Sequence, residues 1–436
     1  MKSSVYSYFF LLVVLLGCGR QTTVGHLFSS PSPYERYEKS LRDAALDQTA
    51  LGRAWLTAGQ HSLRDSLYVT VPFREVGYFA AERPSAVSFR YQVRTGQIID
   101  ISLRPSSGAL VFLDVFTVEN DTVFQWLASA DSTYHLSYEV EHDETHTLRL
   151  QPELLQSLTY DLNIEARPSL NFPVNGKNSA AIGSFFGAPR DGGQRSHKGV
   201  DIFADKGTPV LAASKGVVGT RTNSRLGGKV VWLTTKRMNQ YYAHLDSQVV
   251  RPLQRVNVGD TLGFVGNTGN ARYTPPHLHF GIYHFGQGAL DPYPFLNDRT
   301  PEVPLLQADT SLLAHPARIR VARANVREAP TVQSSTVGDY RQHTLLYLHG
   351  ATGAWFRVVL PDGRRGYVHQ SLVGSVEEPI RQFTVTADDQ LYTSTQETAV
   401  LPDALVGRPV SVFAAFDSLL WVEPSPGLRV WLLPAG

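Results

Sequence analysis

Three histidines lie within eight residues in the stretch YTPPHLHFGIYHF, residues 273–285. The run is apolar, which favours a strand. Alternate side chains of a strand leave the same face, so we expect His277 and His279 to point at one target while Leu278 and Phe280 pack on the other side. Two imidazoles that converge from a rigid backbone indicate a metal site or acid–base chemistry. A pair of solvated histidines on an exposed sheet face is the alternative.

Other residues able to bind a metal precede this strand. The stretch RSHKGVDIFA contains His197 and Asp201, which can meet at a single ion where a loop feeds a strand. Neutral imidazole and a carboxylate oxygen are both good zinc ligands. The stretch NQYYAHLDSQVV places His244 in an apolar strand, on the face that we expect it to share with Tyr242. Together with the H-L-H strand, these residues make up a three-ligand zinc set with two spare imidazoles.

The order of these motifs resembles that of a known family. H-x-x-x-D is followed by Y-x-H-L, by the glycine-rich turn GFVGNTGN and by H-L-H, and the stretches SFFGAPRDGGQRSHKGVDIFA and LDPYPFL fit the same pattern. This arrangement is similar to that of the lysostaphin-type, or LytM-like, zinc metalloendopeptidases, which are peptidoglycan hydrolases. The resemblance covers residues 171–298 and implies an antiparallel β-sheet peptidase domain with a groove. One departure is Pro275, which stands where the family usually has Gly before Pro-His.

The resemblance also implies roles for the site residues. It assigns one Zn²⁺ to His197, Asp201 and His279, and it assigns catalysis to His244 and His277. Three protein ligands leave one coordination position open, as catalytic zinc sites do. His277 would take a proton from water, while His244 would bind the developing oxyanion or exchange roles with His277.

Further residues near these motifs have two interpretations each. Tyr242 is either an additional hydrogen-bond donor or a buried structural tyrosine. Arg190 either binds a substrate carboxylate, such as that of diaminopimelate, or is a surface residue without a role. Gly263, Gly266 and Gly269 are expected to allow tight turns and the close approach of a peptide.

A second pair of histidines, His142 and His146, occurs in EVEHDETHTLRL. The pattern invites comparison with the H-E-x-x-H metalloprotease signature. However, Asp143 stands where the catalytic Glu should be, and the flanking residues alternate as strands, whereas that signature needs a helix. We therefore expect a charged hairpin tip here.

The composition indicates a multidomain, mainly β protein. A chain of 436 residues is too long for a single core, and its plentiful Pro and Gly suit short strands joined by turns. The 40 Lys and Arg residues balance the 39 Asp and Glu residues, so nothing points to nucleic acid as a partner. We expect a monomer.

The first residues, MKSSVYSYFFLLVVLLGCGR, have the layout of a secretory signal. The run before Cys18 resembles the lipobox of bacterial lipoproteins, in which the cysteine carries the lipid. Residues 1–17 are thus predicted to be a signal peptide and residues 18–33 a tether that anchors an exported lipoprotein to a membrane of the cell envelope. Cys18 is the only cysteine, so the exported chain has no disulfide within it.

The regions on either side of the peptidase-like segment are predicted to be accessory. Residues 34–66 are a helical segment on their apolar periodicity. Residues 67–169 alternate apolar and polar residues in short bursts, which favours a β-sandwich. Residues 299–316 are a linker.

The tail contains a degenerate internal repeat. Residues 317–376 resemble bacterial SH3 domains, small β-barrels often found on cell-wall enzymes, and residues 380–436 are a weaker copy. The alignment pairs Trp355 with Trp421 and Tyr367 with Trp431. These aromatic residues either bind the cell wall or form the barrel core.

Three functions fit these observations. The first is a membrane-anchored zinc endopeptidase that cuts peptide cross-links of peptidoglycan, with the D-Ala–diaminopimelate bond favoured over a glycine bridge. The second is a catalytically silent scaffold or activator of another hydrolase. The third is a lipoprotein adhesin whose zinc site is structural. The sequence leaves open which membrane holds the lipid and whether the N-terminal region covers the groove.

Overall fold

The computed structural model describes residues 30–299, 301–395, 397–399 and 402–435. The predicted signal peptide and Cys18 lie outside these ranges. Strands dominate the described chain, which confirms the prediction of a mainly β protein. Within these ranges, no helix combines the length and apolar composition needed to cross a membrane.

Two helices stand where the sequence predicted one helical segment over residues 34–66. Helix α1 covers Pro33–Asp43 and helix α2 covers Ala50–Arg64, with a 3-10 turn at Leu46–Gln48 between them. The chain turns at Ala45, whose φ of 55° is a left-handed conformation that a continuous helix does not contain. The apolar periodicity runs across this turn, so periodicity alone did not reveal it.

The strands after the helices form two layers around one core. Strands β1–β9 cover Leu67–Tyr68, Phe73–Phe79, Val87–Val93, Gln97–Pro105, Val111–Glu119, Val123–Ser129, His135–Glu139, Glu144–Pro152 and Leu158–Pro168. One layer has the order β1-β3-β8-β5-β6, and the other contains β2-β9-β4-β7. Alternate residues of both layers, such as Phe89, Ile101 and Leu148, fill the space between them.

The predicted charged hairpin tip is only partly correct. His142 is exposed in the turn before β8, but His146 lies within β8 and is 1% exposed. Its ring nitrogens contact the Tyr138 hydroxyl at 2.8 Å and Glu144 Oε1 at 3.2 Å. His146 is therefore a hydrogen-bonded core residue, and the two histidines do not meet.

The next region contains the peptidase-like motifs. Strands β10–β22 cover Ile182–Ser184, Pro189–Arg190, Arg195–Ser196, Val200–Phe203, Pro209–Leu211, Gly216–Ser224, Gly228–Thr234, Met238–Leu245, Ser247–Gln248, Arg255–Val256, Thr261–Phe264, His277–His284 and Gly288–Leu290, and helix α3 covers Tyr293–Leu296. The main antiparallel sheet has the order β10-β13-β21-β17-β16-β15-β19, with β22 beside β21. Strands β14, β20 and β18 form a smaller sheet. The three adjacent strands β13, β21 and β17 carry four of the five predicted site residues.

The tail consists of two groups of strands. Strands β23–β29 cover Pro316–Ile319, Arg323–Arg327, Thr336–Arg341, Leu345–Thr352, Trp355–Val359, Arg365–His369 and Val373–Ser375. Strands β30–β35 cover Arg381–Thr384, Gln390–Ser394, Glu397–Ala399, Pro409–Phe416, Leu419–Ser425 and Leu428–Leu433. Short 3-10 turns lie at Ser179–Ala181, Asp191–Gly193, Gly269–Ala271, Thr310–Leu312, Gln370–Leu372 and Asp403–Leu405.

The first tail group is continuous with the sandwich. Strand β2 pairs with β26 through Val76 opposite Ala351 and Gly77 opposite Gly350, which creates one sheet of eleven strands. Residues 299–316 were predicted to be a linker, but Leu313 from this range is buried in the core of the tail. The chain enters the tail fold before the predicted boundary.

The strand register changes the predicted alignment of the tail repeat. In the first copy Arg357 pairs with Tyr367, and in the second copy Trp421 pairs with Trp431. In each copy, the first residue of this pair lies two residues after the start of the strand that follows a two-residue turn. Tyr367 therefore corresponds to Trp431 as predicted, but Trp421 corresponds to Arg357 and not to Trp355.

Candidate active site

The predicted site residues line one open cleft of about 830 Å³. The cleft lies on the face of β13, β21 and β17 that points away from the core. His197, Asp201, His244, His277 and His279 all contribute to its wall. All residues of its lining fall within 184–283, so no described part of the N-terminal region covers it.

Asp201 and His279 are brought together by strand pairing. They lie directly opposite each other on β13 and β21, where side chains on one face are neighbours. The distance from His279 Nδ1 to Asp201 Oδ1 is 2.9 Å. His197 precedes β13, and its Nε2 lies 3.0 Å from Asp201 Oδ1 and 2.9 Å from His279 Nδ1. Three ligand atoms thus converge on one point.

The hydrogen bonds of His197 leave one nitrogen available to a metal. Its Nδ1 lies 2.8 Å from the carbonyl oxygen of Phe185. A carbonyl only accepts, so Nδ1 carries the proton and Nε2 presents a lone pair to Asp201 and His279. Such a contact on the far nitrogen is the usual way in which metal-binding histidines are oriented. The residues present therefore fit a divalent cation.

Burial and charge oppose each other at these ligands. Burial alone would raise the pKa of Asp201, but the close imidazoles of His197 and His279 outweigh it and hold the pKa well below its usual range. Burial is the largest cause that lowers the pKa of His279. An ionised carboxylate beside a neutral imidazole is a donor set that suits zinc.

His277 lies next to the ligands on the same strand. His277 and His279 both line the cleft, as their spacing of two predicts, while Leu278 and Phe280 are fully buried on the other face. His277 Nδ1 lies 2.8 Å from the carbonyl oxygen of Pro275, so its Nε2 is the nitrogen with the lone pair. That Nε2 is 4.0 Å from Asp201 Oδ1.

A bulge directs His244 into the cleft. The pairing of β16 with β17 shifts register between Lys229 and Val231, and His244 has a φ of 62°. Positive φ is uncommon for residues other than Gly and clusters at functional sites. His244 Nδ1 lies 2.9 Å from the carbonyl oxygen of Thr268. Burial, with the nearby charges of His277 and His279, lowers the pKa of His244 to about 4.

The same bulge separates His244 from Tyr242, with which it was predicted to share a face. Tyr242 is fully buried in the core. Its hydroxyl donates to Gln240 Oε1 at 2.7 Å and accepts from the Ala213 amide at 2.9 Å. Tyr242 is therefore the structural tyrosine of the two interpretations. Tyr241 lines the cleft instead, with its ring 5.8 Å from that of His279.

Arg190 bonds to Asp201, although 32% of its side chain is exposed. Its Nη2 donates to Asp201 Oδ2 at 2.8 Å and to Ser184 Oγ at 2.6 Å. Because Oδ2 is held in this way, Asp201 turns its other oxygen, Oδ1, toward His197 and His279. Arg190 thus orients a residue of the ligand set, a role that neither interpretation from the sequence included.

The glycines predicted to line the groove pack elsewhere. Gly263 and Gly266 allow backbone contacts with Ser247 and Asp246, because a Cβ would lie 2.2 and 2.4 Å from atoms there. Gly269 lies against the backbone around Gly228, and none of the three belongs to the cleft wall. Without side chains, they let neighbouring backbone segments pack closely, and they do not line the space in which a ligand would bind.

The sequence analysis missed much of the cleft wall. Aromatic residues on β13, β16, β17 and β21 contribute to it, and Lys198 adds a cation that forms no ion pair among the described residues. These wall residues are Phe203, Trp232, Tyr241 and Tyr283. The period of two from Asp201 and from His279 would have identified Phe203 and Tyr283 as neighbours on the same face.

Residues 195–292 match the family model described as Peptidase family M23. This range includes all five predicted site residues, so the cleft belongs to an M23-type peptidase domain. The match leaves the sandwich and the tail outside it.

Curated relatives share this part of the chain. The chain is 34% identical over 137 residues to an L-Ala–D-Glu endopeptidase of Bacillus subtilis, a match that covers 29% of this chain and 42% of the relative. It is 36% identical over 125 residues to the peptidoglycan DD-endopeptidase ShyC of Vibrio cholerae, which covers 28% of this chain and 26% of the relative. The chain thus spans less than half the length of these relatives.

One solved structure is that of the catalytic domain of lysostaphin from Staphylococcus simulans. It is 34% identical to this chain, and the match covers 26% of this chain and 89% of that one. The TM-score of 0.24 is too low to establish a common fold.

Proposed function

We propose that this protein is a zinc-dependent endopeptidase that hydrolyses peptide cross-links of peptidoglycan. The observation that carries the proposal is the convergence of three ligand atoms from His197, Asp201 and His279 beside two further imidazoles in one open cleft. A closed structural site would use a fourth protein ligand and would need no second pair of histidines. The M23 match over the same residues supports a peptidase.

His197, Asp201 and His279 would hold the zinc ion. When bound, zinc supplies Lewis-acid chemistry that polarises a scissile carbonyl and acidifies water. Arg190 keeps Asp201 Oδ1 turned toward the two imidazoles, and the Phe185 carbonyl keeps His197 Nε2 unprotonated. This arrangement needs no side-chain rearrangement for the three donors to face one centre.

His277 and His244 would move the protons of the reaction. Both rings donate Nδ1–H to a backbone carbonyl, so both Nε2 atoms accept protons from the cleft. We assign the general base to His277, because its Nε2 is 4.0 Å from Asp201 Oδ1. His244, with its ring centroid 5.0 Å from that of His277, would relay the proton to the leaving amine. As a neutral imidazole, His244 has no Nε2–H to donate to an oxyanion.

The favoured bond is that between D-Ala and diaminopimelate. Such a cross-link carries a free carboxylate next to the scissile peptide, whereas a glycine bridge carries none. Lys198 lies in the cleft wall without an ion pair among the described residues, and it would receive that carboxylate. Arg190, which the sequence suggested for this contact, is already bonded to Asp201.

The remaining parts would place the enzyme in the cell envelope. Lipidation of Cys18 would anchor an exported lipoprotein, and the two tail groups would act as SH3-like modules on the wall. Tyr367 is fully buried, so any wall contact in the first group would involve half-buried Trp355. We expect one zinc ion per chain and a monomer.

Digestion of purified, cross-linked peptidoglycan tests the proposal. The chain from Gly19 onward is incubated with zinc, with a chelator, and as the His277→Ala and His284→Ala variants, and the released muropeptides are identified by mass spectrometry. We expect loss of cross-linked dimers with zinc, no loss with chelator, and a decrease of about 100-fold or more for His277→Ala. His284 lies on the same strand outside the cleft wall, so His284→Ala should retain activity.

The released fragments also identify the bond. Products with a free D-Ala carboxylate and a free side-chain amine on diaminopimelate support the favoured assignment, and products with new glycine termini would support the glycine bridge. Zinc binding without any digestion would contradict the enzyme and support the scaffold that the sequence left open.

A further inference from the structure

A second cavity lies where the sandwich meets both tail groups. Its volume is about 470 Å³, and residues from β2 and the following loop, from β26–β28 and from β31, β34 and β35 line it. We call it the junction pocket and define it by Arg83, His349, Arg357, Arg365, Trp421 and Arg429. It shares no residue with the catalytic cleft.

Among the described residues, the lining of the junction pocket contains four arginines and no acidic residue. A buried carboxylate outside the pocket lining balances the charge of one of these arginines. Arg357 is 4% exposed, and its Nε lies 2.9 Å from Oε2 of Glu75, which is fully buried. Its Nη2 contacts the Tyr160 hydroxyl at 3.1 Å. Glu75 is therefore fully engaged and cannot balance another cation.

The other three arginines lack a direct ion pair in the described part of the chain. Arg83, Arg365 and Arg429 form no ion pair among the described residues. Burial and the charge of Arg357 lower the pKa of Arg365, while Asp65, which lies outside the pocket lining, favours its charge. The pocket thus carries an excess of positive charge in a partly desolvated space, which an anionic ligand would offset.

The lowered pKa of His349 agrees with an excess of positive charge in the pocket. Burial, together with the charges of Arg357, Arg365 and Arg83, lowers the pKa of His349 to about 3. The imidazole therefore remains neutral at neutral pH, and the positive charge of the pocket comes from arginine alone.

Aromatic rings supply the remaining walls. Trp421, Trp431 and Tyr347 line the pocket. The guanidinium of Arg429 lies 4.9 Å from the centroid of the Trp421 ring and 3.9 Å from that of Phe413. Stacking on rings fixes the direction of this guanidinium without neutralising it.

We propose that the junction pocket binds a peptide with several carboxylates, the stem peptide of peptidoglycan without its cross-link. The identity of the peptide rests on the proposed function. Arg83, Arg365 and Arg429 belong to three separate segments, and each offers a planar fork that matches one carboxylate. The aromatic walls would cover the aliphatic parts of the peptide. A single phosphate has no aliphatic part for these walls to cover.

Such a site would hold the enzyme on the wall while the cleft releases its products. It also gives the contact between the sandwich and the tail a function, because no single unit contains the complete set of cations. The ligand is therefore recognised only by the assembled chain.

Binding is measured by isothermal titration calorimetry on the chain from Gly19 onward with His277→Ala, so that hydrolysis does not interfere. The probes are the tetrapeptide L-Ala-γ-D-Glu-diaminopimelate-D-Ala, its fully amidated form and inorganic phosphate. The variants are Arg365→Gln and Arg429→Gln. Arg364→Gln is the matched control, because Arg364 is the neighbour of Arg365, pairs with Asp362 and lies outside the pocket.

We expect Arg365→Gln, Arg429→Gln and amidation of the peptide each to weaken binding at least tenfold, while Arg364→Gln changes it less than twofold. Arg365→Lys should recover part of the affinity, since it restores the charge. If one of these variants does not fold, Arg83→Gln replaces it, because Arg83 is exposed. We expect Arg83→Gln to weaken binding at least threefold.

Equal affinity of Arg365→Gln, Arg429→Gln and Arg364→Gln, or equal affinity for the acidic and amidated peptides, would overturn the proposal. Binding of phosphate with the same loss in Arg365→Gln would overturn the peptide assignment. Tetrapeptide binding without wall digestion by the active chain contradicts only the proposed enzyme. Wall digestion without binding in the His277→Ala chain contradicts only the junction pocket.

Discussion

At the scale of single residues, backbone carbonyls fix the orientation of three cleft histidines. Phe185, Thr268 and Pro275 each receive Nδ1–H from a different ring. A carbonyl cannot donate, so each contact selects the tautomer whose Nε2 is a free acceptor. Each of these Nε2 atoms can therefore bind a metal or take up a proton. The carbonyls that enforce this tautomer belong to loops that precede or flank the strands.

Arg190 is predicted to act through Asp201. Arg190→Gln should weaken zinc affinity by about 10- to 100-fold, because contacts to the far side of a metal ligand contribute effects of this size. A competition titration with a zinc-sensitive dye measures the affinity, and Arg195→Gln, an exposed arginine of the same hairpin, is the control. A change confined to KM for substrates with a carboxylate would instead show that Arg190 binds substrate.

Gly199 is predicted to be required for the position of His279. A Cβ at Gly199 would lie 2.3 Å from the carbonyl oxygen of Phe280 and 2.9 Å from His279 Nε2. Gly199→Ala must therefore push β21 away from β13, at a cost of about 1–3 kcal/mol for overpacking. We expect zinc affinity to fall at least tenfold by the same titration.

The control for this substitution is Gly108→Ala. No atom lies within 4 Å of a Cβ at Gly108, and its backbone is not left-handed. The Gly108 variant should bind zinc like the wild type. If Gly199→Ala also did so, β13 and β21 would have enough freedom to adjust, and the close contact would not define the site.

At the scale of elements, the period of a strand explains what the sequence could predict. The spacing of His277 and His279 placed both side chains in the cleft correctly, because β21 is regular along that stretch. The face of His244 was wrong because a bulge interrupts β17, and a bulge leaves no trace in a pattern of alternate residues. The same shift made Tyr242, and not Tyr241, seem the cleft tyrosine.

Longer-range pairing was beyond the reach of sequence patterns. The pairing of β2 with β26 joins residues far apart in the chain through backbone hydrogen bonds, and these have no side-chain signature. Glu75 stood as one charged residue in an alternating strand, where solvent exposure is the usual expectation. It is instead fully buried, because its partner Arg357 comes from the tail.

Helices α1 and α2 are predicted to stabilise the sandwich through Trp55. This ring is 1% exposed, stacks on Tyr34 at 4.9 Å and donates Nε1–H to the carbonyl of Pro152 at 2.8 Å. Trp55→Ala should lower the free energy of unfolding by about 3–5 kcal/mol in urea titrations. Trp55→Phe, which mainly removes the hydrogen bond, should cost about 1 kcal/mol.

A surface residue of the same segment serves as the comparison. Leu46 in the turn between the helices is 42% exposed, and Leu46→Ala should change the free energy of unfolding by no more than about 0.5 kcal/mol. Similar losses for Trp55→Ala and Leu46→Ala would mean that the helices do not contribute to the folded sandwich.

At the scale of the whole molecule, the sandwich and the first tail group are predicted to unfold together. They share one sheet, and the buried Glu75–Arg357 pair crosses their boundary. Glu75→Gln leaves a buried guanidinium without its counter-ion, which should cost about 3–5 kcal/mol. Circular dichroism and tryptophan fluorescence should report one common transition in urea, shifted to lower concentration in the variant.

The neighbouring pair Arg74–Asp161 provides the control for burial. Its side chains are 33% and 24% exposed, and Asp161→Asn should cost less than about 1 kcal/mol. Two separate transitions in the wild type would contradict the shared sheet as a cooperative unit.

The stability of the sandwich and the first tail group is predicted to depend on pH through His349. Its pKa is about 3 in the folded chain and near its ordinary value of 6.5 when unfolded. Between these values the unfolded chain binds a proton that the folded chain excludes. The contribution of His349 to stability is therefore fully present above about pH 6.5 and decreases as the pH falls. From pH 7 to pH 5 this residue should remove about 2 kcal/mol of the free energy of unfolding.

His349→Gln isolates this contribution. Urea titrations at pH 7 and pH 5 should show a decline about 2 kcal/mol smaller in the variant than in the wild type, because Gln has no proton to take up. His142→Gln, which removes an exposed histidine of the sandwich, should decline like the wild type. An equal decline in all three proteins would mean that the arginines around His349 do not keep it neutral, and the excess positive charge assigned to the junction pocket would then be compensated from elsewhere.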